Sequence, residues 1–238
     1  MLLDNVLLTL QSAQSFGAVA SALNSASAFL SRCCMLEFTF GGHHYCVYPT
    51  EVEAYHHSAI FPDPYAHCNP AQQHNYGHLY FHGAGMDICL SSNSDYLSFL
   101  IRSAYVVRDG ASLRPDGLPF VGPLTLRESV FGRSSVAQLR EHPVTQQMVL
   151  RESDAATAPD RFYTMIARRV GLVRNTDPRF ADLRLRTISD STMRQRDYKP
   201  KEELLDSYLE IVHLTPEQRY QVIRKLVDRC PSKYMPKK

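Results

Sequence analysis

Two glycine clusters constrain this chain more than any other feature of its sequence. Gly41-Gly42 stands between residues 33–40 and 43–47, and Gly83-Ala84-Gly85 stands between residues 78–82 and 86–91. Each flank is short and rich in β-branched or aromatic residues, the pattern of a hairpin closed by a tight glycine turn. Further strands are predicted over residues 51–55 and over residues 96–107, a long apolar run interrupted by Arg102. Before the first hairpin, Phe16, Val19, Leu23, Ala26 and Leu30 recur at helical spacing, so residues 14–30 read as an amphipathic helix. Residues 56–77, dense in Pro, Asn, Asp, Gln and His, read as a surface loop. Beyond a Pro/Gly cluster at 114–123, residues 124–139 are mixed, 161–170 read as helix and 182–188 as a last strand. Residues 202–213 and 216–230 are two amphipathic helices, the second opened by the capping box Thr215-Pro216-Glu217-Gln218. The expected fold class is α+β. A single domain over residues 1–190 carries a curved, mainly antiparallel β-sheet surrounded by helices, and a C-terminal helical hairpin over 191–238 packs on it.

Charge is distributed unevenly. The net charge is +2, yet residues 1–100 hold one base, Arg32, against seven acids, and eight of the ten histidines also fall there. A hydrophobic content of 44% with 21% charged residues excludes wholesale disorder and fibrous architectures. No apolar run approaches the length of a membrane span. Asp4 and the lack of a base before Arg32 argue against a secretory or transit leader. An intracellular protein without a membrane partner is therefore expected. The six cysteines form no CxxC pair and read as reduced thiols.

Chemistry concentrates in a few polar residues set among apolar strands. Alternation puts Glu51, Glu53 and Tyr55 on one strand face, and buried carboxylates are costly unless partnered. Glu53 near Arg102 and His67 reads either as a structural ion pair or as a general base, a carboxylate kept ionised by a cation and able to deprotonate a water.

Several segments resemble the alkyladenine (3-methyladenine) DNA glycosylase family. Glu51-Val52-Glu53-Ala54-Tyr55 followed by Asp63-Pro64-Tyr65-Ala66-His67 is similar to that family's "ETEAY…D.AxH" signature. Residues 79–89 are similar to its "YVYxxYGMxxC" hairpin, Phe99-Leu100-Ile101-Arg102-Ser103-Ala104 to its "VLLRA" strand, and Gly122-Pro123-Leu124-Thr125-Leu126 to its "GPGKL". Arg169-Val170-Gly171-Leu172 is similar to "PRIGI", and Ala28-Phe29-Leu30 to the end of its "LARxLLG" helix. The resemblance implies an enzyme of DNA base-excision repair, a hydrolase that flips out an alkylated purine such as 3-methyladenine and cleaves its N-glycosidic bond without cofactor or metal. It implies that Glu53 activates water, that Arg102 holds Glu53 and the water, and that Tyr55 and Phe81 stack on the base. His67 contacts the base or a phosphate, and Ser91 stands where some members screen normal purines.

Departures from the pattern weaken the implied grip on duplex DNA. The hairpin tip Gly83-Ala84-Gly85-Met86 has a methyl group at Ala84 where the family inserts a tyrosine into the duplex. The loop over residues 68–78 contains no arginine, and Thr125 replaces a lysine. Two readings stand: a divergent glycosylase that holds DNA through its basic second half, or a pocket turned to another nucleobase, nucleoside or single-stranded ligand. A zinc site from His74, His78 and His82, spaced by four, requires a helix that Gly77 and residues 79–81 oppose. The last 45 residues carry eleven bases and seven acids, either solvated helix faces or a phosphate clamp. Leu204, Tyr208, Ile211 and Val212 form an apolar stripe that leaves a further alternative open for these helices, the docking of a protein partner.

Overall fold

The computed structural model describes residues 2–74, 77–83, 85–91, 95–142, 149–153, 164–172, 177–193, 205, 214–226 and 232–235. It is an α+β fold built on one sheet, and every described strand pairing is antiparallel. After α1 (Leu2–Ser12), the Ser15 side chain accepts the Ala18 N–H and starts α2 (Phe16–Cys33). The helical spacing expected over 14–30 is thus realised, and Val19, Leu23, Ala26 and Leu30 all lie buried.

The chain then turns directly into β1 (Cys34–Phe40) and β2 (His43–His57). Gly41 and Gly42 both take positive φ, +58° and +81°. A two-residue turn of that hand matches the twist of the strands it joins, and side chains adopt it rarely. The separate strand expected over 51–55 is the second half of β2, which runs for 15 residues. Next come α3 (Pro70–His74), β3 (Leu79–His82), β4 (Gly85–Cys89) and β5 (Tyr96–Arg108). Two short strands, β6 (Ala111–Ser112) and β7 (Phe120–Val121), pair with β5. The mixed stretch 124–139 resolves into α4 (Pro123–Phe131) and α5 (Val136–Glu141).

Beyond these lie β8 (Val149–Glu152), β9 (Thr164–Ala167), α6 (Pro178–Ala181), β10 (Arg186–Ser189) and α7 (Asp190–Met193). The helix expected over 161–170 is therefore replaced, where described, by β9 and an irregular segment. Pairing with β10 overrides local helical propensity there. The principal sheet order is β3-β4-β5-β2-β1-β8, with β10 against β2 and β9 against β10.

One apolar core joins α2 to the sheet and to α4 through residues such as Leu23, Leu30, Val52, Phe81, Phe99, Phe131 and Phe180. A second, smaller core gathers Met165, Ala167 and Ile188 with Leu205 and Ile223. Helix α8 (Pro216–Leu226) thus contributes to a core shared with β9 and β10. The expected first helix of the C-terminal hairpin, including Leu204, Tyr208, Ile211 and Val212, lies outside the described residues apart from Leu205. No described helix is long and apolar enough to cross a membrane.

Candidate active site

The site begins with an irregularity in the long β2–β5 ladder. Pro49 pairs with Ala104, Glu51 with Ser103 and Val52 with Ile101, so Thr50 on β2 and Arg102 on β5 are each an extra residue in the register. Such bulges re-aim side chains. Here they allow both Arg102 and Ser103 to reach Glu51: Arg102 Nε donates to Oε1 at 3.0 Å, and the Ser103 hydroxyl to Oε2 at 2.7 Å. Arg186, from β10, donates to Oε1 of the same carboxylate at 2.7 Å. Thr50 is fixed by the Thr192 hydroxyl at 2.7 Å, so α7 braces the bulge from behind.

Two residues along β2, Glu53 is fully buried. Its Oε1 accepts the Val170 N–H at 2.7 Å, and its Oε2 accepts the Tyr55 hydroxyl at 2.9 Å and Arg102 Nη1 at 3.4 Å. Burial pushes the Glu53 carboxyl above its ordinary value, while Arg102 and the Val170 N–H oppose that rise. For Arg102, burial acts against the charge, but Glu53 and Glu51 outweigh it and raise its pKa. Burial, and then the adjacent Glu53, push the Tyr55 phenol well above its ordinary range, so it is a hydrogen-bond donor to the carboxylate.

A second buried pair holds this arrangement in place. The guanidinium of Arg169 faces Asp63, with Nη2 at 3.2 Å from Oδ1, and neither side chain has any solvent exposure. Arg169 also donates to the carbonyls of Ala54 and Phe180, and its guanidinium carbon lies 4.7 Å from the Tyr55 ring centroid and 5.5 Å from that of Tyr65. Because Val170 follows Arg169, anchoring Arg169 presents the Val170 N–H to Glu53. Arg169 takes one face of the Tyr55 ring.

The remaining expected site residues divide by strand parity. Glu53 pairs with Leu100, Leu100 with Asp87 and Asp87 with Tyr80, so these four side chains share one face of the sheet. Phe81 is on the other face. It is fully buried, edge-on to Phe131 at 5.1 Å, and belongs to the core rather than to the site; Met86, its cross-strand partner, is buried with it. The rings on the Glu53 face of β3 are Tyr80 and His82. His67 does stand beside them, its ring centroid 4.7 Å from that of His82.

Ser91 is spent locally, donating to and accepting from the Leu97 backbone at 3.2 and 3.0 Å, which closes the β4–β5 connection. At the hairpin tip Gly83 is exposed and Ala84 lies outside the described residues. Gly85 is required by close approach: a Cβ there would meet Leu100 Cδ1 at 2.6 Å and Pro123 Cβ at 3.2 Å.

Several functional groups escaped the sequence reading: Val170 as a donor to Glu53, the Asp63–Arg169 pair, and Asp87 with Ser98. The face of β3 was legible, since Leu79 and Phe81 are apolar and Tyr80 and His82 alternate with them. The helical zinc arrangement does not form, because α3 ends at His74, Gly77 takes a φ of +73° and His82 lies in a strand. Among the described residues no group of three or more metal-ligating side chains converges. No protein-family model matches this chain, and no curated protein matches it.

Proposed function

We propose that the protein hydrolyses the N-glycosidic bond of a modified purine in nucleic acid, with Glu53 as the base that activates water. The observation that carries this reading is the state of Glu53: a buried carboxylate raised in basicity by burial, yet flanked by Arg102 and tied to the Val170 N–H. A basic, fixed carboxylate takes a proton from water and stabilises the cationic character that develops at the anomeric carbon. Arg102, bridging Glu51 and Glu53, keeps the carboxylate oriented. Tyr55 offers an aromatic face for an electron-poor purine beside the same oxygen atom. DNA is the proposed macromolecular substrate, held by the basic residues of the second half of the chain.

A second reading, recognition of a purine in single-stranded nucleic acid or as a free nucleoside, is favoured by Phe81 pointing into the core and by the arginine-free loop at 68–78. The test of both is base release from duplex and single-stranded oligonucleotides bearing 3-methyladenine, hypoxanthine or ethenoadenine. The expected result is release by the parent protein and a loss of at least 100-fold in Glu53→Gln. Release restricted to single strands selects the second reading; no release, or release unaffected by Glu53→Gln, refutes Glu53 as the base.

A further inference from the structure

Glu51 gathers more cations than a single carboxylate needs. It is 2% exposed and accepts three donors: Arg102 Nε at 3.0 Å and Arg186 Nε at 2.7 Å share Oε1, and the Ser103 hydroxyl takes Oε2 at 2.7 Å. One guanidinium balances one buried carboxylate, whereas here two converge on a single oxygen atom although their like charges repel. Glu53 accounts for the surplus, because Arg102 also extends Nη1 toward its Oε2 at 3.4 Å. Two acids and two bases thus alternate in the order Glu53, Arg102, Glu51, Arg186, and their formal charges cancel.

Strand register brings Arg186 to this chain of charges. Arg186 lies directly opposite Glu53 in the β2–β10 ladder, so both side chains share one face of the sheet. Its Nε nevertheless goes diagonally to Glu51, since the Val170 N–H, the Tyr55 hydroxyl and Arg102 already occupy Glu53. Arg186 belongs to none of the segments that resemble the glycosylase family. The charged and titratable groups around Glu53 are Glu51 and Tyr55 of its own strand, Arg102 of β5 and Arg186 of β10, with Arg169 beyond the Tyr55 ring. Asp87 of β4, on the same face, is engaged instead by the Ser98 hydroxyl and His82 Nε2, each at 2.9 Å. Burial raises the Glu53 carboxyl; Arg102, the Val170 N–H and after them Arg186 draw it down, while Glu51 adds to the rise.

We propose that Arg186 is a positioning residue: by sharing Glu51 with Arg102, it leaves Arg102 able to hold Glu53. This rests on the N-glycosidic reading above, in which Glu53 takes a proton from water. With Arg186 in place, Glu51 is satisfied by two guanidiniums and a hydroxyl, and Arg102 stays shared between two carboxylates. Without it, Arg102 is the only guanidinium left on Glu51 among the described residues, and its contact to Glu53, the longer of its two, is the one given up. Glu53 then loses the cation that keeps it ionised and aligned. Removing the charge of Glu51 acts in the opposite sense, because Arg102 is then left to Glu53 alone.

The test follows the ionisation of Glu53 in the full chain in two ways. One is the NMR signal of its carboxyl carbon, identified as the signal lost in Glu53→Gln; the other is the acid limb of base release, which rises as Glu53 loses its proton. Arg186→Met should move both to higher pH by about one unit, and Glu51→Gln should move both to lower pH by a similar amount, the scale of one neighbouring charge. Arg186→Lys keeps the charge and should stay within about half a unit of the parent protein. In the Glu51→Gln background, Arg186→Met should have less than half its effect, because Arg186 acts through Glu51. Loss of packing alone does not produce shifts of opposite sign. Shifts of the same sign, no shift, or a full Arg186→Met effect without Glu51 overturn the role of Arg186. If Arg186→Met does not fold, Glu51→Gln decides: a transition that stays or moves to higher pH refutes the proposal. If the parent protein releases no base but the carbon signal shifts as stated, the charge chain stands and the glycosidic reading fails.

Discussion

Substituting Asp63 by Asn tests the brace behind Glu53 most directly. Asp63 and Arg169 are both wholly excluded from solvent, and Arg169 also meets the carbonyls of Ala54 and Phe180 and the rings of Tyr55 and Tyr65. Asparagine preserves the shape of Asp63 and its bond to the Tyr65 N–H at 3.1 Å, but leaves a buried guanidinium without its counter-charge. Breaking one partner of a buried ion pair costs about 3–5 kcal/mol. The carbonyl and aromatic partners of Arg169 place this case near the lower figure, about 3 kcal/mol. At roughly 2–4 °C per kcal/mol for a chain of this size, the midpoint of thermal unfolding should fall by about 6–12 °C.

The assay is chemical and thermal unfolding of the parent, Asp63→Asn, Arg169→Met and the double variant. The double variant should be more stable than the sum of the single losses predicts, with a coupling energy above about 2 kcal/mol. Asp182→Asn is the reference, because the Arg168–Asp182 pair is 45% and 46% exposed and should change stability by less than about 1 kcal/mol. If Asp63→Asn costs no more than Asp182→Asn, the pair is not the buried brace described above.

Glu53 gives a pH prediction whose sign follows from burial. Its folded pKa is raised above the ordinary 4.5, so the folded state binds more protons than the unfolded one between those two values. Stability contributed at this position should fall as pH rises from about 4.5 through the folded pKa and then level off. Unfolding of the parent and Glu53→Gln measured side by side from pH 4 to 8 should show the parent losing ground to the variant; a parent that gains ground instead contradicts a raised pKa. Phe81→Ala should cost about 3–5 kcal/mol by opening a cavity against Phe131. Denaturant unfolding checks this, and a loss below about 1 kcal/mol would mean that Phe81 does not face the core.

Local pattern was a good guide wherever a single element carries its own signal. The spacing of Val19, Leu23, Ala26 and Leu30 fixed α2, and the glycine pair fixed the first hairpin and its turn. Pairing Glu53 with Arg102 was also within reach, since the alternation through Glu51, Glu53 and Tyr55 demanded a partner for buried acids. Phe81 shows how narrow such inference is: its identity suited a stacking role, but a one-residue difference in strand parity puts it in the core and gives Tyr80 and His82 the other face. At 164–167 a segment that reads as helix becomes β9, because the ladder to β10 supplies partners that local propensity does not foresee.

By itself, then, the sequence determined an antiparallel α+β chain and the residue types available for chemistry, because turn residues and hydrophobic period act over a few positions. Only the tertiary structure decided how those residues combine. Arg169 meets Asp63 across 106 positions, and the Val170 N–H reaches Glu53 across 117. Contacts at that separation leave no local period, and they form because a buried charge or donor must find a partner wherever the fold brings one.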